Sequence, residues 1–439
     1  MADEWGERLP RTLGLFSATA VLIGVTVGSG IFRVPATVAA QLQHPGPVIL
    51  CWVVGGLVAL FGALTLAELA AALPRSGGVF AYLLESFGPL PAFVFGWTEL
   101  AVIRASALGA TATIFAEYLG YFVALTPAQV RYVAAIAIVV IGAMNYIGAQ
   151  RAAAVMGIAT AGKYVAVMAL GLLAFTAKTG STSHFNQAWG TGVHLSLLAT
   201  ALIPVMWTYD GWADLSFMGG EVRNPQRTLP IALILGTVCV MLVYLIVNLG
   251  FMYLLPLPEI AASKLIAATA AEHIPLFNGV GAAVIAAVVV VSAISGLNGS
   301  MMTGPRIFFA MAEQGLFFRG VARVSPRFQT PSVAIWLATA LGVIYVLLND
   351  FAQLADRFIL GIWPFYALSV AGVFVLRRRR PELHRPYRVV GYPVVPALFL
   401  LASVGMVANA LITDPRNTGI TLAIILAGIP LYSLWRRFD

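Results

Sequence analysis

Two apolar stretches of membrane length are each interrupted near their middle by polar, helix-breaking residues. The first, Leu13–Ala40, is broken at Val27-Gly28-Ser29-Gly30-Ile31, and the second, Val193–Met218, is broken at Thr208-Tyr209-Asp210-Gly211-Trp212. Such a break is tolerated only where its free backbone N–H and C=O groups are buried in protein or line a polar cavity. Two interrupted spans at matching places in the two halves of a chain therefore predict a binding site for a small polar solute.

The composition indicates a membrane protein. Hydrophobic residues make up 60% of the 439 residues and charged residues only 10%, whereas a soluble chain carries roughly 25% charged residues. The net charge of +8 comes from arginines in short loops between apolar stretches, which indicates membrane topology and argues against a nucleic-acid partner. Cys51 and Cys239 both lie inside apolar stretches, so no disulfide framework and no metal site are expected. The scattered histidines and the lack of a cofactor motif predict neither an enzyme nor a cofactor.

Stretches of about 20 apolar residues predict an all-α protein with about twelve transmembrane helices, in contact with membrane lipid. The predicted spans are Leu13–Ala40, Val48–Leu73, Leu90–Phe122, Tyr132–Ile147, Ala152–Phe175, Val193–Met218, Pro230–Leu255, Leu276–Met311, Ser332–Leu348, Gln353–Leu376, Val389–Leu411 and Ile420–Trp435. The fourth span is the weakest, and an earlier start than Tyr132 is compatible with its sequence.

The cations between these spans predict the orientation. With the N-terminus inside, seventeen arginines fall in inner loops and ends, and five cations fall in outer loops. The inner set is Arg8, Arg11, Arg75, Arg151, Arg223, Arg227, Arg319, Arg323, Arg327, Arg377 to Arg380, Arg385, Arg388, Arg436 and Arg437, and the outer set is Arg131, Lys178, Lys264, Arg357 and Arg416. Because cytoplasmic loops are enriched in Lys and Arg, both termini are predicted to be cytoplasmic, in a multi-pass protein of an inner or plasma membrane.

The broken spans are the first and the sixth, so they enter the membrane from opposite sides. This parity predicts one transmembrane transporter domain built from two inverted repeats, residues 12–178 and 193–376, with two additional helices in residues 388–436.

Gly28-Ser29-Gly30 is suited to bind an anion through the backbone. Glycine tolerates an unwound chain, and a helix that restarts here presents free N–H groups and the positive end of its dipole to a carboxylate. The helix half that ends at the break leaves unpaired carbonyls, which suit an ammonium group. An α-amino acid carries both charges and matches two such breaks facing each other. A glycine pair for close helix packing is the alternative.

The second break combines a carboxylate with aromatic residues. Asp210 would cost about 2.5–3.5 kcal/mol facing lipid near mid-membrane, so it must face a cavity or a partner. Trp207, Tyr209 and Trp212 flank it and predict an aromatic wall, with core packing as the alternative for each. Trp207 is the best candidate for a lid over the substrate.

Lys163 lies ten or more residues from either end of its predicted span. Such an ammonium either holds unwound carbonyls in place of a sodium ion, or loses its proton during coupling, or forms a structural ion pair. Both functional alternatives predict that Lys163 lies against the broken first span. Arg33, within one turn of the first break, is a candidate gate residue, and Glu99 and Arg104 are expected to form an internal salt bridge.

In order and spacing, these residues resemble the L-type amino acid transporter family of the amino acid–polyamine–organocation superfamily. The matching segments are Gly28-Ser29-Gly30-Ile31-Phe32, Glu68-Leu69, Pro74-Arg75-Ser76-Gly77-Gly78, Glu99 to Arg104, Asn145 to Gln150 with Lys163, Tyr209-Asp210-Gly211-Trp212, Glu221 to Pro225 with Leu229-Pro230, Asn298-Gly299-Ser300 with Arg306, Trp363, and the arginine-rich run into Pro381-Glu382-Leu383. Each motif alone is weak, but together they cover nearly the whole chain.

This resemblance implies a LeuT-like fold of five-plus-five inverted repeats with two additional helices. It implies that backbone N–H groups of Gly28, Ser29 and Gly30 hold the substrate carboxylate. Carbonyls around Thr26 and Val27 would take the amino group, together with those of the second break between Trp207 and Gly211, which includes Tyr209 and Asp210. It further implies sodium independence, with Lys163 in the place of a sodium site, and exchange of one amino acid for another.

The chain departs from the family pattern at three places. Trp207 stands where phenylalanine is frequent, and Ala213 stands where some animal members have asparagine. Residues 124–129 contain no cysteine, so no disulfide-linked heavy chain is expected, and a stand-alone transporter of bacterial type is predicted. The expected activity is exchange of neutral L-amino acids by alternating access. One alternative is proton-coupled symport, and Asp210 leaves cationic amino acids or polyamines open as substrates. Another alternative is an amino acid sensor that does not transport, although the short termini argue against it.

Overall fold

The computed structural model describes residue 11 and residues 13–75, 77–147, 149–186, 189–190, 194–277, 279–323, 325–328 and 330–435. Several residues named in the sequence analysis lie outside the described residues: the predicted inner arginines Arg8, Arg436 and Arg437, the motif residues Ser76 and Gly148, and the predicted span start Val193. The side chains of Arg151, Arg306 and Arg319 also lie outside the described part of the chain.

The described chain is almost entirely helical. Its α-helices are α1 Leu15–Thr26, α2 Val34–Leu42, α3 Pro45–Ala72, α4 Val79–Phe87, α5 Pro89–Thr98, α6 Ala105–Leu119, α7 Pro127–Ile147, α8 Ala149–Ala174, α9 Leu195–Tyr209, α10 Pro225–Leu254, α11 Leu257–Ala262, α12 Ile266–Glu272, α13 Gly281–Glu313, α14 Ser332–Leu348, α15 Phe351–Arg379, α16 Val394–Thr413 and α17 Pro415–Trp435. A π-helical turn at Glu99–Arg104 joins α5 and α6 into one continuous span. Short 3-10 turns lie at Gly30–Phe32, Thr182–Phe185, Asp214–Phe217, Gly219–Glu221, Pro275–Phe277 and Arg319–Ala322.

The helix lengths agree with a membrane protein of about twelve spans. Among the described residues, eight helices are long and apolar enough to cross a membrane, and four apolar helical segments are shorter. Two of the shorter segments are α1 and α9, which end at the two predicted breaks. The predicted all-α membrane fold is therefore confirmed.

Several helix boundaries differ from the prediction. Helix α7 begins at Pro127 rather than Tyr132, because proline is favoured in the first helical turn. Helix α13 begins at Gly281 rather than Leu276, since a 3-10 turn and the left-handed Gly279 (φ +78°) precede it. The short helices α4, α11 and α12 were not predicted, because none of them reaches membrane length.

Small residues bring α3 close to the helices that carry the second break. A Cβ atom on Gly55 would lie 2.5 Å from Val205 of α9, and one on Gly56 would lie 2.6 Å from Met241 of α10. Helix α1 packs against α10, whereas α2 packs against α9. The two halves of the first span are thus held by different neighbours.

The start of α1 is tied to the segment that follows the second break. The Leu13 N–H donates to the Glu221 carbonyl (3.0 Å), and the Arg223 N–H donates to the Leu13 carbonyl (2.8 Å). This parallel bridge links the two broken spans at one end of the bundle.

Candidate functional site

The first span is broken where the sequence predicts it. Helix α1 ends at Thr26, and the Gly28 N–H turns back to the Thr26 carbonyl (2.7 Å) instead of continuing the helical pattern. The chain then makes one 3-10 turn before α2 begins at Val34. The break therefore covers residues 27–33.

Three consecutive backbone N–H groups are free in this break. No backbone carbonyl among the described residues accepts a hydrogen bond from the N–H of Ser29, Gly30 or Ile31. This differs in one residue from the predicted carboxylate site, because the turn engages the Gly28 N–H and Ile31 supplies the third donor instead. Successive free N–H groups attract an anion.

The second break contacts the first directly. Helix α9 ends at Tyr209, Asp210 is extended, and Gly211 has a φ of +108°. A Cβ atom on Gly211 would lie 2.9 Å from the backbone N and Cα of Thr26. Both the positive φ and this close approach require glycine. Beyond the break, the span continues as 3-10 turns rather than as an α-helix.

Tyr244 of α10 bridges the two breaks. Its hydroxyl lies 2.7 Å from the Thr26 carbonyl and 3.0 Å from the Thr208 carbonyl. The side chain is completely buried. One buried donor thus serves a carbonyl at the end of each interrupted helix.

Trp207 packs directly against Gly30 of the first break. A Cβ atom on Gly30 would lie 2.9 Å from the Trp207 ring and 3.0 Å from the Thr208 hydroxyl. The Trp207 ring meets Phe351 edge-on, with 5.3 Å between centroids. Trp207 therefore lies where the predicted lid was expected, although its contact with a substrate stays a prediction.

Arg33 forms a charged pair beyond this aromatic layer. Its Nε donates to Glu117 Oε2 at 3.1 Å, and both side chains are 18% exposed. Its guanidinium also lies 5.4 Å from the Phe351 ring centre. Next to it, the Tyr118 hydroxyl donates to the Phe32 carbonyl (2.6 Å). These contacts close the α2 side of the breaks.

Lys163 reaches the broken first span. Its Nζ donates to the Gly24 carbonyl at 2.9 Å, and the residue is only 3% exposed. In a continuous helix this carbonyl would accept from the N–H of Gly28. The ammonium therefore replaces a hydrogen bond that the break removes, which agrees with the predicted position of Lys163.

Asp210 has a partner, as its location in the membrane requires. Its Oδ1 accepts a hydrogen bond from the Tyr366 hydroxyl of α15 at 3.0 Å, and the residue is half-buried. Arg104 and Glu99 form the predicted salt bridge, and Arg104 Nη1 also donates to the Ser300 hydroxyl (2.8 Å).

Two of the three predicted wall aromatics point elsewhere. Tyr209 is fully buried, and its hydroxyl donates to the Trp52 carbonyl of α3 (3.1 Å). Trp212 is fully buried against Tyr366 and Phe399. Among the three, only Trp207 borders the first break, so the side chains of the other two support the site by packing.

The sequence analysis did not predict four residues that lie at the site. They are Glu117, Tyr244, Phe351 and Tyr366. Glu117 had a signal, because it is a charge inside an apolar span. The three aromatic residues had none, since they lie in apolar helices far from either break in sequence.

The chain aligns with known proteins over nearly its whole length. The family model described as amino acid permease matches residues 13–433. The chain is 31% identical to human b(0,+)-type amino acid transporter 1, over 98% of this chain and 89% of that protein. It is 30% identical to the serine/threonine exchanger SteT of Bacillus subtilis (97% and 96% covered) and 30% identical to the human cystine/glutamate transporter (98% and 86% covered). Each alignment is long enough to include both breaks.

Proposed function

Because this chain belongs to the amino acid permease family and is a membrane transporter of amino acids, we propose that it exchanges neutral L-amino acids by alternating access without sodium. Family membership confirms the resemblance noted in the sequence and the predicted class of function, which is transport rather than catalysis. The substrate, the coupling and the site residues are the subject of the proposal.

The observation that supports the proposal is the contact between the two helix breaks, where free backbone N–H groups lie next to released backbone carbonyls. Free N–H groups of Ser29, Gly30 and Ile31 suit the substrate carboxylate, with about 0.3–2 kcal/mol from the helix dipole and roughly 1.5–3 kcal/mol for each charge-assisted hydrogen bond. The Thr26 and Thr208 carbonyls already accept from Tyr244. Those of Val27 and Trp207, however, accept no hydrogen bond from another described backbone group outside the helices and suit the ammonium group. The close contact of Gly211 with Thr26, where a Cβ atom on Gly211 would lie 2.9 Å from the Thr26 backbone, supports the proposal that one α-amino acid bridges these two sets.

Lys163 supports sodium independence. Its ammonium lies on the Gly24 carbonyl, at the end of α1 where a bound cation would otherwise stabilise released carbonyls. A covalently attached cation removes the need for a sodium ion at this point. The alternative, in which Lys163 releases a proton during transport, predicts proton-coupled symport.

A neutral side chain fits the surroundings of the first break. The guanidinium of Arg33 is paired with Glu117 and is not offered to an acidic substrate. Trp207 covers Gly30 and limits the space for the substrate side chain. The name of the Bacillus subtilis relative, a serine/threonine exchanger, supports both small neutral substrates and exchange.

Alternating access requires that the closed side of the breaks can open. Trp207, Phe351 and the pair of Arg33 with Glu117 form successive layers on the α2 side. We assign this side to the exterior, because the arginine-rich loops lie at the other end of the spans and both termini are then cytoplasmic. Exchange follows if only a bound substrate allows these layers to separate.

We further propose that residues 12–178 and 193–376 are inverted repeats and that residues 388–436 are additional helices. The positions of the breaks in the first and sixth spans support this division. We also propose that the chain works without a heavy chain. Its cysteines support this, since Cys51 is buried and Cys239 is half-buried, and neither lies in the outer segment 124–129.

Purified protein in liposomes tests the proposal. Uptake of radiolabelled L-serine or L-threonine is measured with and without internal amino acid, in sodium or choline buffer, and with or without an inward proton gradient. An exchanger requires the internal pool and ignores both cations. Uptake into empty liposomes driven by the gradient would instead identify a symporter, and substrate binding without any flux would identify a sensor. Reconstituted Gly30→Val, which blocks the first break, supplies the background.

A further inference from the structure

The last turn of α15 and the connection from it to α16 present an unusual concentration of cations at one membrane surface. They contain Arg377 to Arg380, Arg385 and Arg388, whereas Glu382 is the one carboxylate between residues 377 and 393. Some of these arginines pair with carboxylates or carbonyls of the protein, whereas the others are exposed.

Three of the arginines meet buried or half-buried carboxylates, and Arg385 does so through an ion pair between its Nε and Glu68 Oε1 (3.5 Å). Arg377 donates through Nε and Nη2 to the two carboxylate oxygens of Glu68, at 2.9 and 2.5 Å. Arg380 donates to Glu85 of α4 at 2.8 Å. Glu68, near the end of α3, is 1% exposed, so its charge requires such partners.

A third arginine fixes the shape of the connection. Arg385 donates to the carbonyls of Leu376 (2.9 Å), Arg380 (2.9 Å) and Leu383 (2.7 Å), at the end of α15. The Val389 N–H then donates to Glu68 at 2.8 Å, which anchors the segment on α3. Specific hydrogen bonds therefore hold the connection against α15 and α3.

The remaining three arginines point outward. Arg378, Arg379 and Arg388 are exposed, and within the described part of the chain no hydrogen bond or ion pair engages their side chains. Arg378 follows Arg377 and Arg388 precedes Val389, and both of these neighbours bind Glu68, so the exposed cations, which form a positive surface, flank one anchored point.

An apolar strip continues from this positive surface along α16. Val394, Leu398 and Leu401 are 60%, 43% and 70% exposed, and their spacing places them on one helix face. The strip is joined to the arginines by Tyr392, whose ring lies 3.7 Å from the Arg377 guanidinium. Cations at the surface followed by an apolar face match the two parts of a lipid molecule.

We propose that this surface binds an anionic phospholipid. Its phosphate lies against Arg378, Arg379 and Arg388, and one acyl chain lies along the exposed face of α16. An arginine near an anionic surface contributes about 1 kcal/mol, which is about a five-fold change in affinity for each arginine.

The test titrates the detergent-purified full chain with phosphatidylglycerol or phosphatidylcholine and counts bound lipids by native mass spectrometry. We expect tighter binding of phosphatidylglycerol, a loss of about five-fold for each single arginine changed to glutamine, and near-complete loss in Arg378→Gln/Arg379→Gln/Arg388→Gln. The preference also weakens as salt is raised, because salt screens exposed charges.

A matched control removes the same charge at the opposite membrane face. Arg131, Lys178 and Arg416 are exposed there, and their triple change to glutamine should retain phosphatidylglycerol binding. Equal loss in this control, or wild-type binding in the first triple variant, overturns the proposal. If the first triple variant does not fold, the single variants and the salt dependence of the wild type decide, and equal binding of both lipids by the wild type also overturns it.

Discussion

Removing the hydroxyl of Tyr244 tests whether the contact between the two breaks creates the substrate site. In Tyr244→Phe the ring keeps its place, because the side chain is completely buried and phenylalanine has nearly the same shape. The change removes only the donor that lies 2.7 Å from the Thr26 carbonyl and 3.0 Å from the Thr208 carbonyl.

The size of the effect follows from the number of acceptors left without this donor. A buried polar group that loses its partner costs about 1–3 kcal/mol. The Thr26 carbonyl keeps the hydrogen bond from the Gly28 N–H (2.7 Å), so mainly the Thr208 carbonyl loses its partner, and a cost of about 2 kcal/mol is expected. If this energy holds the breaks in the binding geometry, KM rises by tenfold or more, since about 1.4 kcal/mol is a factor of ten.

Tyr209→Phe is the matched control. The Tyr209 ring lies next to Tyr244, with 5.1 Å between centroids, but its hydroxyl donates to Trp52 of α3 at 3.1 Å. Both variants lower the melting temperature, because each loses a buried hydrogen bond. Only Tyr244→Phe raises the KM for exchange in proteoliposomes and weakens substrate binding measured by calorimetry. The same KM change in both variants would refute the reasoning, since Tyr244 would then act only through general packing.

The remaining predictions concern the break, the buried ammonium and the outer gate. Gly30→Ala meets the Trp207 ring at 2.9 Å, whereas Gly28→Ala has no neighbour nearer than 3.8 Å. Substrate affinity measured by calorimetry should therefore fall in Gly30→Ala and not in Gly28→Ala. Adding Trp207→Phe to Gly30→Ala should partly restore the affinity and broaden the range of accepted substrates. Equal losses of affinity in the two glycine variants would contradict this prediction. Lys163→Met leaves a folded protein but slows exchange about tenfold, because a charge-assisted hydrogen bond of roughly 1.5–3 kcal/mol is lost, and unchanged flux would make Lys163 merely structural. Glu117→Gln weakens the half-buried ion pair with Arg33 by about 1 kcal/mol. Because this pair closes the proposed outer gate, the variant should have a lower KM for substrate added outside the proteoliposomes. An unaltered or higher external KM would show that Glu117 is not part of the gate.

The spans and both breaks could be predicted because their causes are local. An apolar run of membrane length must be helical, and glycines beside polar residues mark where that helix stops, as at Gly28 and Gly211. The ends of the helices were less accurate, since turn residues such as Gly279 decide them. The sequence contained nothing to predict that the second span continues as 3-10 turns after Ala213.

The chemistry of the site was only partly predictable because it combines distant segments. Lys163 could be assigned to the first span, since a lone buried charge needs a partner and a break offers one. Tyr244 could not be assigned, because tyrosine in an apolar helix is also an ordinary packing residue. Gly28 illustrates a finer limit, since only the coordinates reveal that its N–H is used by the turn.

The π-helical turn at Glu99–Arg104 makes the number of residues in this span as important as their identity. In a regular α-helix two residues five positions apart point about 140° away from each other, yet here Glu99 and Arg104 form a salt bridge. The turn holds one residue more than an α-helical turn of the same height would. Deleting one residue between Glu99 and Arg104 would leave an ordinary α-helical turn, so α6 would keep its orientation relative to α5, and the two charges would be four positions apart, still on one helix face. The same deletion inside the regular helix between this turn and Glu117 would instead rotate Glu117 and Tyr118 by about 100° away from Arg33 and Phe32. The π-helical turn is therefore the place in this span where the loss of one codon does least harm.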